Sequence, residues 1–121
     1  MRGTVIKLRA SGTETHLWFV VSNPDQATNR VLAFNLTDFA NYPSSRCVLE
    51  IGDHPRITMR SSVRYFSPKI WDATVLQKQI AAGIFEQFQN ASEAVISKII
   101  SGAYEDDTPE ICFNYLPPRP A

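Results

Sequence analysis

In this chain of 121 residues only His16 and His54 carry a side chain that can both take and give a proton near neutral pH. His54 stands in a polar hinge, Gly52-Asp53-His54-Pro55, between two strand-like runs at residues 47–51 and 62–66. The densest basic segment follows it: Arg56, Arg60, Arg64 and Lys69. An imidazole in a Gly/Pro turn, with cations beside it, has the parts to bind an anion and move a proton. His54 is therefore either an acid–base group or a turn histidine bonded to its own backbone. Asp53 either orients that imidazole or closes an Asx-turn over residues 52–55.

The arginines bring forked donors that match phosphate. Side chains alternate along a strand, so Arg64 and Phe66 share one face of the second run, and Val63 and Tyr65 the other. Arg64, close to Ser62, is the expected phosphate clamp, with Arg56 as a second cation and Arg60 as a surface residue. His16 opens the apolar run HLWFVV at residues 16–21 and should sit at its rim, as a site residue or as a packed strand-end histidine. Thr37 closes the next strand-like run, where its hydroxyl could meet a phosphate or bond Asp38 or Phe39 in a turn. Trp18, Phe19, Phe34 and Phe66 read as core, whereas Tyr65 and Tyr42, near polar turns, are the candidate platforms for stacking bases.

The chain has no phosphate loop, dinucleotide glycine fingerprint, nucleophile elbow or His-x-x-x-His zinc helix. Two isolated histidines and the distant Cys47 and Cys112 do not make a metal site, and no cofactor is expected. The two cysteines are expected as buried thiols rather than a disulfide. Net charge is zero, which argues against coating nucleic acid by long-range attraction. The charge is nonetheless segregated, with a basic stretch at residues 46–69 and an acidic one at residues 86–110. No apolar run approaches the ~18–20 residues of a membrane span. The first ten residues lack a signal-peptide core, so a cytoplasmic location is expected.

The length suits a single domain. Strand-like runs fall at residues 4–8, 16–21, 30–36, 47–51 and 62–66, with a short piece at residues 57–59. Residues 10–15, with Gly12, read as a turn, and residues 22–29 as a loop. Asp72 can cap a helix over residues 73–82 that stops at Gly83. A second helix is expected to start at Asn90, with Glu93 in its first turn and Gly102 just past its end. Strands first and helices last predict an α+β domain: a small β-barrel of about five strands over residues 1–70, a helical part over residues 71–104, and an acidic, proline-rich tail over residues 105–121.

The order HLWFVVSNP, VLAFNLTDF and SSVRYFSPKI resembles the PemK/MazF-like toxins over about residues 1–82. In that family a strand ending in VVS precedes a variable loop, then a strand closing on Thr or Ser, then a Ser-Val strand and a C-terminal helix. The resemblance implies an SH3-like barrel, commonly a homodimer. It implies a metal-independent endoribonuclease acting on single-stranded RNA and restrained by a cognate antitoxin. It places Thr37 at the family's strand-end hydroxyl and Ser61 or Ser62 at its Ser-Val strand. The family's catalytic arginine comes from the loop before the VVS strand, where this chain offers only Arg9; Thr15-His16 replaces the usual basic, proline-containing approach to that strand, and the GDHP turn is not typical. His54 and His16 are then the proton-transfer groups and Arg64 or Arg9 the charge, with Arg56, Ser61, Ser62 and Tyr65 against the substrate. The reading from another class is a non-catalytic small β-barrel that binds protein or RNA.

Overall fold

Residues 16–21 are apolar at every position but the first, a pattern for a strand covered on both sides. The computed structural model, which describes residues 1–9 and 16–119, puts that strand in the middle of a sheet with a helix on each face. The strands are β1 (Val5–Leu8), β2 (Leu17–Val20), β3 (Arg30–Asp38), β4 (Val48–Leu49), β5 (Ser61–Asp72) and β6 (Phe85–Phe88). They form one curled six-stranded antiparallel sheet in the order β4-β5-β3-β2-β1-β6. The helices are α1 (Ala73–Ala81) and α2 (Glu93–Ala103). The domain is thus α+β.

Alternation along each strand sorts the core into two clusters. Val5, Phe19, Leu32, Phe34, Leu36, Val63 and Tyr65 point to α2, where Ile96, Ile99 and Ala103 meet them. Ile6, Val20, Val31 and Ala33 point the other way, to Ala73 and Leu76 of α1. The apolar contacts with α1 end at Ala33 on this second face. Beyond Ala33 the next residues on it are Asn35 and Thr37.

The helix capped by Asp72 forms as expected: its carboxylate accepts from the Val75 amide, and Gly83 ends the segment at φ 78°. The second helix starts later than expected, because Ser92 rather than Asn90 takes the capping role on the Val95 amide. Gly102 lies inside that helix, not beyond it. Residues 57–59 form no strand, and β4 is only two residues long. The helices do not simply follow the strands: β6 lies between them and returns to pair with β1. The short run FEQF gave no clear strand signal, and its pairing is decided by β1. The expected turn at residues 10–15 lies outside the described residues. The tail docks through a 3-10 turn (Glu110–Asn114) that buries Cys112, and Leu116 is buried after it. Cys47 and Cys112 are free and buried, and burial pushes the Cys112 thiol up to about 11.

Candidate functional site

The β3–β5 pairing builds the site. Asn35 lies opposite Arg64 and Thr37 opposite Ser62, so all four side chains belong to the α1 face of the sheet, where Asn35 and Ser62 are buried and Arg64 and Thr37 half-buried. Trp18 of β2 lies opposite Asn35, and His16, two residues before it, belongs to the same side. The register slips between Ala33 and Asn35, where Ala33 opposes Lys69 while Asn35 opposes Arg64. The extra residues of β5 form a bulge that bends the strand.

Asn35 fastens this bulge from within. It is 1% exposed; its Nδ2 donates to the Ser67 carbonyl at 2.8 Å and its Oδ1 accepts from Arg64 Nη1 at 3.2 Å. The same Arg64 Nη1 lies 3.1 Å from His16 Nε2, and His16 Nδ1 lies 2.8 Å from the Leu36 carbonyl. Arginine only donates and a carbonyl only accepts, so the tautomer is fixed: Nδ1–H donates to Leu36 and the Nε2 lone pair accepts from Arg64. A half-buried imidazole, a half-buried guanidinium and a buried amide thus form one chain of bonds. Thr37, also half-buried, accepts from Asn41 Nδ2 at 3.2 Å. The Ser62 hydroxyl is fully buried and has no hydrogen-bond partner among the described residues.

His54 is not part of this group. It packs edge-on against Phe19, on the α2 side of the sheet, and is 2% exposed. The Arg56 amide donates to its Nδ1 at 3.0 Å, and its Nε2–H donates to the Gln89 carbonyl at 2.6 Å. With both ring nitrogens bonded, His54 ties the hinge to the segment before α2. Its geometry is that of a structural lock, on the opposite side of the sheet from His16. Asp53 reaches back rather than closing the expected turn over residues 52–55: its carboxylate accepts from the Glu50 amide at 2.7 Å.

Tyr65 is also corrected. It is fully buried against α2, where its hydroxyl donates to the Ile99 carbonyl at 2.6 Å. Burial pushes this phenol far up, and no base can stack on it. Ser61 turns to the same side and donates to the Met59 carbonyl. Arg56 lies over the Phe88 ring, 4.5 Å from its centroid. Arg9 contacts the Gly83 carbonyl and Glu86 beside β6, at the sheet edge remote from Arg64. Arg60 pairs with Glu50 at 2.9 Å.

Asn35 carries a role that sequence reading missed. The signal for Asn35 was present: one amide interrupting the apolar run VLAFNL. A comparison of the chain with family models, curated proteins and solved structures matches none of them. Among the described residues no helix is long and apolar enough to cross a membrane.

Proposed function

We propose that the chain is a PemK/MazF-like endoribonuclease that cuts single-stranded RNA on the sheet face around the half-buried His16 and Arg64. The single observation that carries this reading is the contact between His16 Nε2 and Arg64 Nη1 at 3.1 Å. It sets a proton acceptor beside a phosphate-binding fork. A phosphate oxygen arriving at the face competes for Arg64. As the guanidinium turns to the phosphate, Nε2 is released and takes the proton of the ribose 2′-hydroxyl. The 2′-oxygen attacks phosphorus, the bond to the following 5′-oxygen breaks, and that oxygen leaves with a proton from solvent. The products are a 2′,3′-cyclic phosphate and a 5′-hydroxyl. Arg64 offsets the charge that gathers on the phosphate, and Thr37 donates to it. Nothing in this sequence of steps calls on a metal ion.

The curled sheet and its long bent β5 support reading the strands as an SH3-like partial barrel. A homodimer and a cognate antitoxin belong to the same reading.

The test is cleavage of mixed single-stranded RNA by the purified protein, with and without EDTA. Cleavage is expected to survive EDTA, to fall about 10²–10⁴-fold in His16→Ala and about 10²–10³-fold in Arg64→Ala. His54→Ala is expected to lower stability by about 2–4 kcal/mol while the folded fraction still cuts. Rates within twofold of the parent in both His16→Ala and Arg64→Ala would sink the proposal.

One observation favours a second reading, a module that binds RNA without cutting it. Arg64 occupies the Nε2 lone pair of His16, so no free base faces solvent. Salt-sensitive RNA binding without products would establish that reading instead.

A further inference from the structure

We infer that Phe66 is a stacking platform for a nucleobase, placed one step along the strand from the Arg64 phosphate clamp. This rests on the RNA reading of the sheet face and adds the residue that would hold a base there. Phe66 is the large aromatic of β5 that the bulge sends outward: 48% of it is exposed, whereas its neighbour Tyr65 is fully buried. Bulges re-aim side chains in this way. The bulge is not loose, because Asn35 holds it through the Ser67 carbonyl.

The ring is also braced from the side. Tyr42 meets it edge-on, with centroids 5.2 Å apart and planes at 83°. Tyr42 is in turn fixed, since its hydroxyl donates to the Asp106 carboxylate at 2.7 Å. The Arg64 guanidinium lies over one face of the Phe66 ring, 5.1 Å from its centroid, so a base stacks on the opposite face. An exposed phenylalanine held on two sides loses little freedom when a base stacks on it. Residues two apart on a strand are separated by about 6.7 Å, within the reach of one nucleotide from its phosphate to its base. Aromatic stacking accepts any base, so the platform adds affinity for single-stranded chains without choosing a sequence. The ligand class is a single-stranded nucleic acid, with a phosphate on Arg64 and an adjoining base on Phe66.

The test uses two single-stranded 2′-deoxy decamers that cannot be cut by 2′-attack: one of mixed sequence and one abasic at every position, with equal charge. Binding is read by fluorescence anisotropy at fixed salt. The parent is expected to bind the base-bearing chain more tightly than the abasic one. Phe66→Leu, which keeps an apolar side chain, and Phe66→Ala should weaken binding of the base-bearing chain about 5- to 100-fold and leave the abasic chain unchanged. Phe66→Tyr should restore the difference. Arg64→Ala should weaken both chains. If Phe66→Leu and Phe66→Ala bind the base-bearing chain like the parent while Arg64→Ala weakens both, the platform is refuted and the RNA face stands. If Arg64→Ala changes neither, the RNA face falls and the platform with it.

Discussion

At the scale of single residues, Asn35 joins the β5 bulge to Arg64. Its two amide atoms serve different ends, Nδ2 closing the β5 bulge and Oδ1 orienting Arg64. Asn35→Ala removes both bonds from a buried position and leaves the Ser67 carbonyl without its partner. We expect a loss of about 1–3 kcal/mol in urea unfolding, and RNA affinity lowered together with that of Arg64→Ala rather than in addition to it. Full additivity of the two substitutions would show that Asn35 does not act through Arg64. The residue types of the site were legible in the sequence: His16, Arg64 and Thr37 were named from strand ends and alternation. Their grouping was not. It depends on the β3–β5 register, which a register slip sets and no local pattern announces. His54 shows the opposite failure. A histidine among cations in a turn has the chemistry of a base, but its backbone partners, the Arg56 amide and the Gln89 carbonyl, come from the folded chain.

At the scale of elements, α2 and β5 meet most closely where a glycine allows it. A Cβ on Gly102 would lie 2.3 Å from the Tyr65 hydroxyl and 3.1 Å from the Arg46 carbonyl. Tyr65 cannot easily give way, because it is fully buried and its hydroxyl is bonded to the Ile99 carbonyl. Gly102→Ala should therefore destabilise by about 1–3 kcal/mol despite the better helix propensity of alanine, read as a lower midpoint in thermal unfolding. A neutral or raised midpoint would mean that α2 shifts freely. Sequence reading took Gly102 for a helix stop because glycine near the end of an apolar period usually is one. Here it serves close packing against Tyr65, 37 residues upstream in the chain, which leaves no local trace. The cap at Asp72 was legible, since it acts on its own neighbours, whereas the second helix starts at Ser92 and not at the expected Asn90. β6 was not, because four residues with two polar side chains become a strand only when β1 is present to pair with them.

At the scale of the whole molecule, the acidic C-terminal segment is fastened to the β3–β4 connection through Tyr42 and Asp106. The Asp106 carboxylate accepts from the Tyr42 hydroxyl and from the Arg46 and Asp107 amides. Burial opposes its ionisation, but these donors, Tyr42 foremost, hold it below the ordinary aspartate value. Tyr42 moves the other way: the bond to Asp106, then burial, raise it to about 12. The signs give a wide working range. Tyr42 is raised on folding, so its share of the stability is complete below the ordinary phenol value near ~10 and fades as pH climbs through about 12. Asp106 is lowered, so its share is complete above the ordinary carboxylate range and fades as pH falls through its depressed value. Asp106→Asn removes the charge that restrains the phenol. At pH ~11 the variant should show more tyrosinate absorbance at 295 nm than the parent, because its Tyr42 titrates nearer the ordinary value. Equal absorbance would mean that Asp106 does not hold Tyr42 in solution.

The pairing of Val5 with Phe88 and of Leu8 with Phe85 also has a meaning in time. A ribosome releases β1 first and β6 only after both the sheet face and α1 have emerged. Contacts so distant along the chain form late, since the loop between them must close before the pairing repays it. A nascent chain can therefore assemble His16, Asn35 and Arg64 while one flank of β1 still lacks its neighbour. The sheet is complete only when β6 takes its place beside β1.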